Sequence, residues 1–295
     1  MTMRAHNTDT QINPAVLLPD VLSIARAAGN ILHKHWHDTA PIEIIIKEDG
    51  SPVTVADKQS SDLITQRLTE LTPNITVMCE ENDQIPDPKK SYWAIDPLDG
   101  TKIFIDKGTG FATNIALIVD GDPVLGVVNC PAHNTMYFTT TGMPSYKQTD
   151  GEEKKIIKTK QHKEGTALTT AFDSAHGDIA TYGIAQKTLA KEFNLYLPNV
   201  PMTERAHPFN MLVAEGIIDI NVKTGSDPTL HRSGGFAWDN AADQLILRNA
   251  GGGIVDLYNH YNSLNYSTIG RGRMHAYMAL GDRRFRDNVF SNHPH

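Results

Sequence analysis

The stretch Trp93-Ala94-Ile95-Asp96-Pro97-Leu98-Asp99-Gly100-Thr101-Lys102-Ile103-Phe104 places two aspartates three positions apart, directly after the apolar run Tyr92 to Ile95. The run predicts a short strand, and Pro97 with Gly100 predicts the turn that ends it. Proline fixes its own φ, and glycine lets backbone approach a ligand closely. Asp96 at the strand end and Asp99 in the turn can then converge on one point, and two convergent carboxylates suit a hard divalent cation. Pro-x-Asp-Gly is equally the chemistry of an ordinary surface turn, so this stretch alone serves both readings.

Two further acidic clusters lie at element ends. Upstream, the apolar run Ile75 to Met78 predicts a strand that delivers Cys79 and then the adjacent acids Glu80 and Glu81. Downstream, Asp239 opens a helix whose apolar positions Ala242, Leu245, Ile246 and Ala250 follow a 3.6-residue period. Singly, Asp239 reads as a helix cap and the glutamates as a solvated pair. Three clusters, each at the end of an element, point instead to one shared site.

Four motifs occur in this order: GSPVTVADKQ (Gly50 to Gln59), CEEN (Cys79 to Asn82), DPLDGTK (Asp96 to Lys102) and WDNAA (Trp238 to Ala242). In order and spacing they resemble the inositol monophosphatase superfamily, from about the helix before His37 to the strand near Met278. Within it, DPLDGTKIFI followed by NIALI (Asn114 to Ile118) is similar to the DPLDGTKEFI and NIALI of the 3'(2'),5'-bisphosphate nucleotidases. Inositol monophosphatases more often read DPIDGTTNF there.

The resemblance implies an α/β fold, a layered α+β sandwich of alternating helix and sheet layers known as the sugar-phosphatase fold. It implies one domain over residues 1–295, with a metal-binding N-terminal lobe at 14–150 and a C-terminal α/β lobe at 166–295. Glu80, Asp96 and the Leu98 carbonyl would hold one Mg²⁺, and Asp96, Asp99 and Asp239 a second, with Asp96 bridging. Cations paired in this way, or three of them, clamp the attacking and departing oxygens of phosphate monoester hydrolysis. Thr101 would orient the attacking water with Asp57 as its partner, and Glu80 belongs to the same catalytic set. The Gly100 and Thr101 amides would meet phosphate if a helix begins there. Lys102, His176 and Asp239 are the other expected substrate contacts. All-oxygen ligands favour Mg²⁺ over Zn²⁺, and Li⁺ inhibition follows from the resemblance alone.

That reading makes the chain a phosphomonoesterase removing the 3'-phosphate of 3'-phosphoadenosine 5'-phosphate. The alternatives are an inositol or other sugar monophosphatase, or a non-catalytic relative that binds metal or nucleotide. Completeness of the set Asp57, Glu80, Asp96, Asp99, Thr101 and Asp239 favours catalysis. Three departures bear on the substrate. Ile103 replaces a glutamate at the pocket rim, Asp173-Ser174-Ala175-His176 stands for Ser-Arg-Ser-His, and His207-Pro208-Phe209 stands for Ser-Leu-Lys where the family reads its leaving group. The segment from Lys223 to Ala237 is also longer and glycine-rich.

Composition agrees with a small-molecule enzyme. With 295 residues, 40% of them hydrophobic, the chain can bury a full core. Its net charge of −7 excludes a nucleic-acid surface, which needs a basic face, whereas a small phosphorylated substrate needs only a local cation. Two cysteines, Cys79 and Cys130, suit a reducing cytoplasm better than a disulfide scaffold. The polar leader before Pro14 does not read as a signal peptide, no run reads as long enough to span a membrane, and a homodimer is left open.

Helices are predicted at Pro14 to Trp36, Asp57 to Leu71, Ile179 to Phe193, Phe209 to Glu215 and Asn240 to Asn249. A hairpin is predicted from Thr113 to Asn129, and further strands at Thr135 to Thr139, Leu168 to Phe172, Ile217 to Val222 and Ala276 to Leu280. Gly142 to Gly165 reads as connector and edge structure, and Gly251-Gly252-Gly253 as a helix end and turn. Three histidines alternate at His33, His35 and His37. His33 and His37, at i and i+4, could grip zinc on a helix, but with no carboxylate or cysteine set nearby they read first as an exposed helix end where cationic histidine complements the dipole. Lys47 and Lys102 read either as phosphate contacts or as solvated lysines.

Overall fold

The computed structural model describes residues 12–40, 42–48, 50–161, 170–174, 208–224, 235–256, 264–267 and 277–282. Helix α1, Pro14–His37, opens on the Asn13 side chain, which accepts from the Ala15 amide at 3.1 Å. Pro14 stands at the first position, where a missing N–H costs nothing. Leu18, Val21, Ile24, Ala25, Ala28 and Leu32 recur at helical spacing and are buried. By length and composition α1 is also long and apolar enough to cross a membrane, which corrects the expectation that no run is. Its stripe is used here to cover a sheet.

Helix α2, Val55–Leu71, begins two residues earlier than Asp57 because Thr54 caps it reciprocally. The Thr54 hydroxyl accepts from the Ala56 and Asp57 amides, and the Asp57 carboxylate accepts from the Thr54 amide at 2.8 Å. Before it, β1 (Ile44–Ile46) and β2 (Pro52–Thr54) form an antiparallel hairpin.

Seven strands follow in spatial order: β3 (Thr76–Cys79), β4 (Tyr92–Asp99), β5 (Ala112–Val119), β6 (Asp122–Cys130), β7 (Thr135–Thr140), β8 (Tyr146–Thr149) and β9 (Lys155–Ile156). β3 and β4 are parallel and the other neighbours antiparallel. The β5–β6 turn has φ of +51° at Asp120 and +77° at Gly121, the mirror-image geometry that matches strand twist. β8 and β9 supply the edge structure expected of the connector.

Both faces of this sheet are buried, so β4 reads as a continuous apolar run and not as an alternation. Trp93 and Ile95 join the core under α1 and α2, while Tyr92 and Ala94 join the core on the other face. That second face is covered by α4 (Phe209–Ala214) and α5 (Ala237–Ala250). Beyond them lies a four-stranded sheet in the order β10 (Thr170–Ser174), β11 (Ile220–Thr224), β13 (Tyr277–Leu280), β12 (Gly253–Asp256). Helix, sheet, helix and sheet thus alternate, as the expected sandwich requires. A Cβ at Gly126 on β6 would meet the Ala242 carbonyl of α5 at 2.9 Å, so glycine sets how closely this helix approaches. The helix expected at Ile179 to Phe193 lies outside the described residues.

Candidate active site

The turn after β4 differs from its expected form. The strand does not end at Ile95 but pairs on to Asp99: Asp96 lies opposite Asn114 and Asp99 opposite Ala112. Two residues, Pro97 and Leu98, therefore oppose Thr113 alone in a bulge. Pro97 has no amide to donate to the ladder, which is where a strand tolerates proline. The Pro97 carbonyl is used instead by the hydroxyls of Ser60 at 3.2 Å and Thr113 at 3.1 Å. The bulge re-aims Asp96 and Asp99. Gly100 then takes φ +84°, a left-handed turn open to glycine, and α3 (Thr101–Ile105) begins. Leu98, Phe104 and Phe111 anchor the turn in a small core with Leu32 and Ala56.

The expected water-orienting pair is in contact. The Thr101 hydroxyl lies 3.2 Å from Asp57 Oδ1 and 3.2 Å from the Leu98 carbonyl, with one proton for two acceptors. Asp57 Oδ2 meanwhile accepts from the Thr54 hydroxyl at 2.5 Å, so one carboxylate caps α2 and faces Thr101. Burial lifts the Asp57 carboxyl above its ordinary range, against the hydrogen bonds from Thr54 and Thr101.

Glu80, Asp96, Asp99 and Asp239 feel one another. Asp96 is held well above the usual carboxylate range by burial first, then by the negative charges of Glu80, Asp99 and Asp239. Asp239 is pushed up to about 7 by burial, with Asp99 and Glu80 adding and Lys223 opposing. Glu80 is raised by burial, while Lys47 draws it down. Each acid rests on a local donor. Lys47 Nζ donates to Glu80 at 3.0 Å and to Glu81 at 2.6 Å, the Leu98 amide to Asp96 at 3.0 Å, and the Phe236 amide to Asp239 at 2.8 Å. In these positions no three His, Cys, Asp or Glu groups among the described residues stand at metal-ligand spacing.

Some contributors were not named as site residues from sequence. Asn114 donates at 3.4 Å to Asp99 and to the Asp239 carbonyl, tying β4 to α5, and its own Oδ1 is buried without a hydrogen-bond partner. Its signal is a polar residue heading the apolar run Asn114 to Ile118. At Gly235, with φ +86°, a Cβ would stand 2.2 Å from Asp239 Oδ2. Lys47 is not a freely solvated lysine, since it pairs with Glu80 and Glu81. Lys102 is exposed, and Gly251 ends α5 at φ +111° as expected. His176 lies outside the described residues. Cys79 and Cys130 are buried thiols outside any disulfide, and burial pushes the Cys79 thiol up to about 12.

The inositol monophosphatase family model matches residues 16–281. The chain belongs to the inositol monophosphatase family. Among curated relatives it is 34% identical to the 3'(2'),5'-bisphosphate nucleotidase CysQ of Aggregatibacter actinomycetemcomitans over 255 residues, 85% of this chain and 87% of that one. It is 40% identical to the CysQ of Salmonella typhimurium over 247 residues, 81% of this chain and 90% of the relative. Among solved structures, CysQ from Bacteroides thetaiotaomicron superposes with a TM-score of 0.68 at 23% identity, covering 92% of this chain and 98% of that one. The Thermotoga maritima IMPase superposes at 0.70 and 21% identity, covering 92% and 94%. These two superpositions show a shared fold.

Proposed function

We propose that this family member is a Mg²⁺-dependent 3'(2'),5'-bisphosphate nucleotidase that removes the 3'-phosphate of 3'-phosphoadenosine 5'-phosphate by attack of water. The observation that carries the reading is the Thr101 hydroxyl lying 3.2 Å from Asp57 beside the acid cluster. The curated relatives carry that activity in their names over most of their length.

The residues fit a hard cation. Every candidate ligand is oxygen: Glu80, Asp96, Asp99, Asp239 and the Leu98 carbonyl. Asp96 is destabilised in its charged form by burial and three neighbouring acids, a penalty that divalent charge would remove. When bound, Mg²⁺ would supply Lewis acidity, neutralising phosphate charge and making a nearby water a stronger acid. The chain's own part is positional. With Asp57 as hydrogen-bond partner, the Thr101 hydroxyl orients the water for in-line attack on phosphorus, and no covalent phosphoenzyme is formed. The Gly100 and Thr101 amides, at the start of α3, face the phosphate. The reading places the site between lobes at 14–150 and 166–295 of one domain. In its support, Glu80, Asp96 and Asp99 come from the ends of β3 and β4, and Asp239 from α5.

A substrate panel assayed for phosphate release with Mg²⁺ tests it. The expected result is a higher kcat/KM for 3'-phosphoadenosine 5'-phosphate than for inositol 1-phosphate. A reversed order makes the chain a sugar monophosphatase, and no release from any substrate makes it a non-catalytic relative.

A further inference from the structure

We infer that His33 and His37 form a second metal site, a two-histidine chelate for Zn²⁺ or Cu²⁺ on the last turn of α1, separate from the acid cluster. The two residues lie at i and i+4, which brings side chains together on one helix face. Here the contact is nitrogen to nitrogen: His37 Nε2 stands 3.1 Å from His33 Nε2, with ring centroids 4.3 Å apart at 64°.

That separation is the bite a metal needs. With metal–nitrogen bonds of about 2.05 Å, a tetrahedral angle spaces two ligand nitrogens by about 3.3 Å, and a right angle by about 2.9 Å. The observed 3.1 Å lies between them. In the metal-free pair one Nε2 donates its proton to the other. Binding needs both Nε2 lone pairs, so the donor ring carries its proton on Nδ1 instead, and no proton need leave the protein. Among the described residues no third His, Cys, Asp or Glu completes the set, so water fills the remaining positions at this exposed helix end. Nitrogen donors select borderline ions and exclude Mg²⁺.

The rival role for these histidines is to neutralise the helix dipole. Lys107 already fills it, donating from Nζ to the Trp36 carbonyl at 2.7 Å and the Asp38 carbonyl at 2.9 Å. Trp36 packs edge-on against the His37 ring at 4.7 Å, which restrains that ligand. His35 is directed elsewhere, to Gln59 Oε1 at 2.9 Å, and so provides an internal control.

The test is Cu²⁺ titration of the full chain in saturating Mg²⁺, followed by calorimetry and by electron paramagnetic resonance. The tightest ion should show coupling to two nitrogens. His33→Ala and His37→Ala should each weaken it by at least about tenfold, because each removes one arm of the chelate. His35→Ala should leave it unchanged, and Mg²⁺-dependent hydrolysis before copper is added should be the same in all three. The inference is overturned if a His33→Ala/His37→Ala double variant still binds the first ion with wild-type affinity. Equal loss in His35→Ala would overturn it too.

Discussion

Thr101 offers a single hydroxyl proton to two acceptors, Asp57 Oδ1 and the Leu98 carbonyl, at equal distances. Turning it toward either one changes what the oxygen lone pairs face, which is how a threonine can aim a water without titrating itself. Thr101→Ala should lower kcat by about 10²–10⁴-fold, in the range of a lost acid–base function, while Mg²⁺ affinity stays near wild type. Calorimetric Mg²⁺ titration of the variant checks this. A fall in affinity parallel to the fall in rate would assign Thr101 to supporting the Leu98 carbonyl instead of the water.

Helix α5 couples the site to the layers, because Asp239 rides on its first turn while Gly126 beneath it fixes its height over β6. Gly126→Ala would drive a methyl group against the Ala242 backbone. Overpacking of this kind costs about 1–3 kcal/mol and should lower both the melting temperature and kcat. One turn beyond Asp239, buried Asp243 accepts from Asn210 at 2.8 Å, and its Oδ1 has no hydrogen-bond partner. Burial pushes the Asp243 carboxyl up to about 7, against about 3.9 in an unfolded chain. The folded state therefore holds the extra proton between those values, and this contribution to stability, complete below pH 4, is lost as pH rises through 7. Asp243→Asn should flatten that slope, gaining up to about 4 kcal/mol over wild type at pH 8 and little at pH 4. Denaturant melts of both proteins in chelator at the two pH values measure it. Elements with one strong signal were legible in the sequence: the α1 stripe, the Asp120-Gly121 turn and the Gly251 end of α5, whereas α5 begins at Ala237, three residues before the predicted Asn240. The passage through Asp96 to Asp99 was not, because proline and glycine mark a turn locally, whereas pairing with Asn114 and Ala112 is decided by a strand that arrives later in the chain. Asn114 was missed for a similar reason, since its partner Asp239 is 125 residues away.

Taken as a whole molecule, the chain gathers acids from the end of one sheet and from a helix between two sheets, so a bound cation would tie layers together. Mg²⁺ at about 100 times its dissociation constant should add about 2.7 kcal/mol, or about 4–5 °C in melting temperature, and chelator should reverse it. Asp96→Asn should abolish both that shift and hydrolysis while melting no lower than wild type in chelator, because it relieves a buried, mutually repelled charge. Retention of the shift would remove Asp96 from the metal site, and loss of the shift with hydrolysis retained would separate that cation from the chemistry. The bulge at Pro97 also bears on how the sheet assembles. β4 is apolar on both faces, so sliding it by one residue would exchange one greasy surface for another at little cost. What pins the alignment is the discontinuity at Asp96-Pro97-Leu98-Asp99, the segment that also carries the proposed metal-binding acids. Changes made there to alter chemistry would also loosen the instruction that tells neighbouring strands where to stop, and mispaired, slow-maturing chains would accompany altered turnover.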